Sequence, residues 1–416
     1  MEQTSRKTKF FSSFLAYKKL PKETHLMGVA FFLDNLGALV TTLFTLILVE
    51  KKGISTVDAG IFLSICFSVS LPMILFSGWI ADRIGEKKIY LIFGFLAAAT
   101  MLLLVPLFDH PISYFLLFLW PQFKRSTTAP KTSLFISIGG EENRRLSIAY
   151  SSVFFNLASV VAPLLATTLF RKSISLVLFV EGITTLVACL FVLFLVKTDV
   201  RPEKKNLSIK NSFSAFIASK EILVFLIGLL MVILVYEQYI FNLPLFLIQN
   251  TVLESLSGEK IFGALIALNS VIVVVFSGFV IEKTKDWSKK KSFLVSSTAI
   301  AIGYFFLIFP TIYSVLVFGI LWAFGEILLI NTTVAFFLDH FGKENRSFAL
   351  SCRYIFRYFV TGIVPIFFAY ASEIFGITRV WGLSPLLVFV GLMLMFKSGV
   401  LKESAKEVGT VCIPSP

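Results

Sequence analysis

Ionisable side chains lie inside segments of the sequence that are otherwise strongly apolar. A charge in the core of a lipid bilayer is costly, so it normally faces a partner or a water-filled path. A carboxyl group in a low-dielectric site can load and release a proton near neutral pH. Residues of this kind therefore indicate proton exchange or the binding of a charged solute. They are Asp34, Lys124, Arg125, Lys131, Glu181, Glu237, Glu326, Arg353 and Arg357.

Three of these side chains, Lys124, Glu237 and Glu326, fall near the middle of their apolar runs. With a helical rise of 1.5 Å per residue they lie roughly 18, 24 and 21 Å along the runs, close to the bilayer midplane. Lys124 and Glu326 are 202 residues apart, and we predict that they form a breakable ion pair across a central cavity. The residues predicted to serve proton coupling or substrate binding are Asp34, Lys124, Arg125, Glu237 and Glu326.

The remaining charges have interpretations that stay open at this point. Asp34 either pairs with a base of the fourth apolar run or takes part in coupling. Lys131 is expected to extend to the membrane surface or to gate the path. Arg353 and Arg357, one helical turn apart, are expected to join helices or to act as a gate. Glu181 is expected near the outer interface or at the mouth of the cavity.

The composition determines which elements position these residues. Hydrophobic residues make up 56% of the 416 positions and charged residues only 15%. This is too few polar residues to cover the surface of a soluble protein. A soluble enzyme, a nucleic-acid-binding protein and a disordered scaffold are therefore excluded. A bilayer-crossing helix needs about 20 apolar residues. The predicted spans, α1 to α12, lie at 26–49, 57–80, 89–107, 112–138, 146–169, 174–196, 221–248, 261–282, 292–310, 312–339, 347–372 and 378–397.

Lysine and arginine residues are distributed unevenly between the loops. With the N-terminus inside, the inner segments hold 27 of them and the outer loops hold 6, an excess that marks the cytoplasmic side. Both termini are therefore predicted to be cytoplasmic, and the net charge of +13 reflects these loops. The predicted parts are a cytoplasmic segment (1–25), a six-helix bundle (26–196), a cytoplasmic linker (197–220), a second six-helix bundle (221–397) and a cytoplasmic tail (398–416).

The two sets of six spans resemble a duplication. Ser77-Gly78 recurs as Ser277-Gly278, an offset of 200 residues. Pro163 recurs as Pro365, and the sequence Glu-Asn-Arg at 142–144 recurs at 344–346, both at an offset of 202. A nearly constant offset predicts two related bundles with the substrate path between them.

The strongest local motif lies between α2 and α3, where residues 78–88 read GWIADRIGEKK. A glycine at position 78 lets a neighbouring helix approach closely. Asp82 can face the positive N-terminus of another helix, and Arg83 can pair across a cytoplasmic gate. Here the chain resembles the major facilitator superfamily, whose signature in this loop is G-x-x-x-D-R-x-G-R-K.

The resemblance is carried by Gly78, Asp82, Arg83, Gly85 and Lys87, whereas a glutamate stands at position 86, where the family has a base. It implies that these residues form a conformational lock, in which α11 supplies the helix N-terminus for Asp82. It also implies an all-α membrane protein of twelve transmembrane helices in two pseudo-symmetric six-helix bundles. In that fold α1, α4, α7 and α10 line the central cavity, and most of the buried charges lie on those helices.

A second resemblance concerns α5. Facilitators of the drug-antiporter type carry G-x-x-x-G-P-x-x-G here. In this chain Ala158 and Ala162 replace the first two glycines, and Pro163 matches the proline. Alanine, like glycine, is small enough to let another helix pack closely against this face of α5. Gly325-Glu326 in α10 and Tyr236-Glu237-Gln238 in α7 are similar to segments of the drug-exporter and peptide-transporter branches.

These observations predict a secondary active transporter that is coupled to protons and exports a small organic molecule by alternating access. One alternative is proton-coupled uptake of an anionic or zwitterionic solute, including a peptide. An alternative of another class is a membrane sensor that transports nothing. The partners expected are the solute, protons and the lipid of the cell membrane, with no nucleic acid, and the chain is expected to be a monomer. The sequence has no catalytic motif, no Walker A motif and no metal-ligand spacing, so no enzymatic activity, cofactor or metal is expected.

Overall fold

The computed structural model describes residues 17–140, 143–197, 219–250, 256–341 and 346–401. These residues form helices joined by short connections, with no strand among them. The first six helical spans are α1 (Lys22–Leu36 and Leu39–Leu46, continued by a π-helical turn, Ile47–Lys51), α2 (Thr56–Ile84), α3 (Glu86–Leu107), α4 (Ile112–Ser126 and Thr128–Gly139), α5 (Arg144–Lys172) and α6 (Ile174–Leu195).

The second six spans repeat this arrangement. They are α7 (Lys220–Glu237, a 3-10 turn at Gln238–Ile240, and Asn242–Gln249), α8 (Gly258–Thr284), α9 (Lys289–Phe306), α10 (Ile312–Phe341), α11 (Arg346–Phe375) and α12 (Ile377–Lys397). The twelve predicted helices are therefore present. The predicted segments 1–25, 197–220 and 398–416 lie mostly outside the described residues.

Ten of the twelve are long and apolar enough to cross a membrane by length and composition, counted over the described ranges. The other two are α4 and α9. The first is divided at Thr127 into pieces of 15 and 12 residues, and the second has three lysines in its first turn. Both departures are local, because each helix still packs inside its bundle.

Broken helices are tolerated within a membrane protein only where other groups partner the freed backbone atoms. At the break in α7 the Tyr304 hydroxyl donates to the Tyr236 carbonyl at 3.2 Å, and the Thr45 hydroxyl donates to the Ile240 carbonyl at 3.0 Å. Pro244 lies in the first turn of the segment that follows, where a missing N–H costs little. The break in α7 is thus stabilised by side chains from α9 and α1.

The two bundles touch each other on one side of the molecule. We call the side where α1 begins and α12 ends the terminal side, and the opposite side the far side. The Ser64 hydroxyl accepts from the Ile366 N–H at 2.9 Å, and a Cβ added to Gly263 would lie 2.8 Å from the Pro163 carbonyl. All these groups lie towards the far side, so α2 packs on α11 and α5 packs on α8 there.

The turn between α2 and α3 depends on a glycine. Gly85 has φ +108° and ψ 136°, a conformation that other residues adopt only at a cost. Gly78 is different, because the nearest atom to an added Cβ is the Ala129 Cβ at 3.9 Å. The expectation that Gly78 allows a close helix approach is therefore wrong for this conformation.

These two glycines make a matched pair for mutation. Gly85→Ala should lower the free energy of unfolding by about 1–3 kcal/mol, because alanine must adopt a strained backbone conformation. Gly78→Ala should leave it unchanged or raise it by up to about 1 kcal/mol, since alanine favours a helix more than glycine does. Denaturant unfolding in detergent micelles measures both changes. Equal losses in the two variants would contradict this account of the turn.

Candidate functional site

Asp34 is the centre of a charged cluster inside the first bundle. Its carboxylate is 2% exposed and accepts from two lysines of α4: Lys124 Nζ lies 2.6 Å from Oδ1, and Lys131 Nζ lies 2.5 Å from Oδ2. The ion pair between Asp34 and α4 is therefore present. The interpretation of Lys131 as a residue that extends to the membrane surface is wrong, because it is 6% exposed and binds Asp34.

Glu181 of α6 belongs to the same cluster. It is fully buried, and its Oε1 lies 3.6 Å from Lys124 Nζ. Lys124 also donates to the Thr185 hydroxyl at 2.8 Å. The expectation that Glu181 lies at the outer interface or the cavity mouth is wrong, because α6 turns this side chain inward to α1 and α4.

The second bundle holds its own buried ion pair. Arg357 Nε of α11 lies 2.6 Å from Glu237 Oε1 of α7, and the glutamate is 1% exposed. Both residues line a small cleft together with Tyr236, Thr333 and Arg353, and with apolar side chains of α7, α10 and α11. Arg357 remains one third exposed, so the charged end of this cleft reaches the surface.

Glu326 lies apart from Lys124. Its Oε2 accepts from the Asn269 amide of α8 at 3.0 Å, whereas Lys124 is bound to Asp34. The predicted Lys124–Glu326 ion pair is therefore wrong for this conformation. Residues related by a duplication lie on opposite sides of the pseudo-symmetry axis, and each here binds a nearer partner in its own bundle.

Arg125 lies where α4 faces the second bundle. Its guanidinium is 4.2 Å from the ring of Phe67 on α2 and 5.6 Å from the ring of Tyr358 on α11. Its charge interacts with those of Glu237 and Arg357. Nη1 is buried and has no hydrogen-bond partner within the described part of the chain. Arg125 is thus a half-buried cation with an unused donor between the two bundles.

Two tryptophans occupy equivalent positions in the bundles. Trp120 of α4 and Trp322 of α10 are 202 residues apart, and each is 2% exposed. Neither indole N–H has a partner among the described residues. The ring of Trp322 lies 4.8 Å from that of Tyr239 and 6.4 Å from that of Tyr236. Trp322, Tyr239 and Tyr236 therefore form an aromatic cluster that adjoins the charged cleft through Tyr236.

The described residues of the predicted lock contact different parts of the first bundle. The Arg83 guanidinium lies 3.6 Å from the ring of Trp79, one turn away on the same helix. Lys87 Nζ donates to the Val196 carbonyl at 2.5 Å, at the C-terminus of α6, where a cation is favourable. The Asp82 side chain lies outside the described residues, so its contact with α11 stays a prediction.

The small residues of α5 lie on its buried face. Ala158 and Ala162 are buried, and the Pro163 carbonyl is the atom that Gly263 of α8 approaches. These residues lie where the two bundles meet on the far side.

The sequence did not reveal the partners of the charged residues. Thr185 and Asn269 are ordinary polar residues of spans, and no spacing marks them. Glu181 carried a signal, since it is an acid within a long apolar run. Among the residues described here, no group of three or more His, Cys, Asp or Glu side chains is placed to hold a metal ion.

Comparison with known sequences identifies the family. Residues 26–365 match the sequence profile of the Major Facilitator Superfamily, and the chain belongs to that superfamily. A relative in Bacillus subtilis (strain 168), described as the uncharacterized MFS-type transporter YqjV, is 23% identical over 303 residues, which are 68% of this chain and 70% of that protein. The chain is therefore a multi-pass membrane transporter of the major facilitator type.

Solved structures share the fold. The nucleoside transporter NupG (D323A mutant) has a TM-score of 0.76 and 15% identity, and the alignment covers 92% of this chain and 100% of that one. A POT family transporter in complex with 5-aminolevulinic acid has a TM-score of 0.74 and 12% identity, covering 92% and 97%. At such identities the likeness concerns the architecture of twelve helices in two bundles.

Proposed function

We propose that the protein is a proton-coupled transporter that exports a small organic solute carrying an anionic group. The observation that carries this proposal is Arg125, a half-buried cation whose Nη1 donor is buried and has no partner among the described residues. A buried donor without a partner costs free energy, and a carboxylate or phosphate group of a solute would supply the missing acceptor. Arg353 and Arg357 add positive charge to the adjacent cleft.

The acids of the second bundle supply the proposed proton coupling. Glu237 is held by Arg357, so a proton on Glu237 would release that arginine towards the solute. Glu326 accepts from the Asn269 amide and forms no salt bridge within the described ranges, which leaves it able to take a proton without breaking an ion pair. Each step links a proton to a group that lines or adjoins the cleft, as coupling requires.

The proposed direction of the path follows from the contacts between the bundles. They meet on the far side, so we infer that the cleft opens to the terminal side in this conformation. The distribution of lysine and arginine assigns the terminal side to the cytoplasm. Export is favoured by the α5 segment around Pro163, which resembles that of drug antiporters. The surplus of cations also suits uptake of an anionic or zwitterionic solute, which is the second candidate.

Vesicles that contain the purified protein and a trapped pH dye test the coupling. The probes are 5-aminolevulinic acid, a dipeptide and a nucleoside, each added across an imposed pH gradient. We expect proton flux that depends on at least one probe, with Glu326→Gln reducing it to background and Glu50→Gln, an exposed control, leaving it unchanged. Solute moving against the protons would indicate export, and solute moving with them would indicate uptake.

Two results would contradict parts of this proposal. Unchanged flux in Glu326→Gln would reject the role of that residue. Wild-type vesicles in which none of the three probes moves protons would contradict the proposal for these solute classes and favour a sensor.

A further inference from the structure

The break in α1 is capped by a side chain from another helix. The second segment of α1 begins at Leu39, and the first N–H groups of a helix have no partner within it. Glu181 Oε2 accepts from the Leu39 N–H at 2.7 Å and from the Val40 N–H at 3.0 Å. Thr184 lies so close to Gly37 that a Cβ there would overlap its hydroxyl. The break is therefore built around Glu181 and its neighbour on α6.

The other oxygen of Glu181 is unused. Oε1 is buried and accepts no hydrogen bond within the described ranges. The nearest cation is Lys124, at 3.6 Å, which is bound instead to Asp34 at 2.6 Å. Asp34 thus holds two lysines, since Lys131 occupies its second oxygen. The cluster contains two acids and two bases, but both bases hydrogen-bond to Asp34, whereas Glu181 has only the longer ion pair with Lys124.

Because the lysines bind Asp34 more closely than Glu181, Glu181 is the acid of this cluster that a proton can neutralise at the lowest cost. An ionised carboxylate in a buried site needs its lone pairs satisfied, and Oε1 lacks that. A proton bound at Oε1 would remove the charge, and Oε2 would still accept from Leu39 and Val40 as a carbonyl oxygen. Protonating Asp34 would instead leave Lys131 without a charged partner and Lys124 with only the more distant Glu181.

The other ionisable groups around Glu181 are few. Tyr90 of α3 and Cys189 of α6 lie beside Asp34. The charged residues at the end of α5, Arg171 and Lys172, are exposed. Lys124 itself is 14% exposed, so the cluster reaches water at the lysine, where a proton can enter or leave.

We propose that Glu181 is a proton-exchanging residue of the first bundle, and that its ionisation sets the position of Lys124, while its Oε2 caps the second segment of α1 in both states. The inference rests on the proposed proton coupling and adds a second proton site to it. When Glu181 is ionised, Lys124 is drawn from Asp34 towards Oε1. When Glu181 is neutral, Lys124 stays on Asp34. Because Asp34 belongs to α1, the shift of Lys124 changes the charge that this helix faces.

Infrared difference spectra between mildly acidic and mildly alkaline solution test the proton site without any solute. The wild-type protein should show a protonated carboxyl C=O band that Glu181→Gln lacks. Glu50→Gln is the matched control, since Glu50 is an exposed glutamate of the same bundle, and it should keep the band. A spectrum of Glu181→Gln identical to that of the wild type would overturn the proposal.

Hydrogen exchange distinguishes the effect of the Glu181 charge from the effect of its hydrogen bonds to the start of the second α1 segment. Glu181→Gln keeps an amide oxygen for Leu39 and Val40, so peptides covering the break should exchange as in the wild type. Glu181→Ala removes the acceptor and should speed their exchange. Equal exchange in both variants would contradict the capping role.

Vesicle assays then link the site to transport. Glu181→Gln should lose proton flux driven by the active probe, yet keep exchange of labelled for unlabelled probe. Retained flux in this variant would reject the coupling role of Glu181. Absence of flux in the wild type would instead reject the proposed function, and the infrared band would still decide whether Glu181 exchanges a proton.

Discussion

Asp34→Asn should lower the free energy of unfolding by about 3–5 kcal/mol, because it removes the counter-charge of Lys131 and the nearer of the two acids that face Lys124. The Lys131 side chain is 8% exposed, so water cannot replace its carboxylate partner. Denaturant unfolding in detergent micelles gives the change. The variant should also lose proton-coupled transport, since Lys124 no longer has a choice between two acids.

Two further variants control for the loss of packing. Lys131→Met should cost less than Asp34→Asn, because Asp34 keeps Lys124 and the methionine still covers Phe31. The double variant should recover part of the loss, since one unpaired cation is removed. A loss below about 1 kcal/mol for Asp34→Asn would contradict a tightly buried cluster, because exposed ion pairs are worth about that much.

Arg125→Gln should weaken binding of the transported probe about 10- to 100-fold, the equivalent of one lost hydrogen bond to a charged group. The stability of the empty protein should be unchanged or higher, since Arg125 forms no ion pair among the described residues and its Nη1 is unpartnered. Titration calorimetry in detergent gives the affinity, and denaturant unfolding gives the stability.

Arg171→Gln is the matched control for this change. Arg171 is an exposed arginine at the end of α5, so its loss should leave the affinity unaltered. If Arg125→Gln bound the probe as tightly as the wild type, the proposed anion site would be wrong.

Much of the architecture follows from the sequence, because lipid imposes strict rules. The length of the apolar runs predicted twelve helices, and the charges on α1, α4, α7 and α10 pointed to the candidate site. The breaks at Gly37 and Thr127 were not predicted. The break at Thr127 is followed by Pro130, which has no N–H to donate to the preceding turn, so this break had a local signal. The segment after Gly37 is capped by Glu181 of α6, a tertiary partner that the local sequence does not reveal.

The pairing of the charges could not be predicted from spacing alone. The offset of 202 related Lys124 to Glu326 as equivalent positions, but equivalence does not mean contact. Lys131 was misjudged because its distance from the helix end suggested access to water, whereas Asp34 on a neighbouring helix binds it. Contacts between helices depend on rotation about each axis, which an apolar pattern determines poorly when a helix is hydrophobic on all sides.

The central claim is that the charged cleft opens to one side of the membrane and then to the other. It is tested by the side from which a membrane-impermeant thiol reagent labels a cysteine at Ile330, a half-buried cleft residue, in a background without the native cysteines. Thr56→Cys, at a cleft of about 720 Å³ on the far side, reports the opposite mouth. We predict labelling of position 330 from the cytoplasmic side at rest and a shift towards the other side when the active probe and a pH gradient are present. Labelling of position 330 from neither side, or from one side under all conditions, would contradict alternating access.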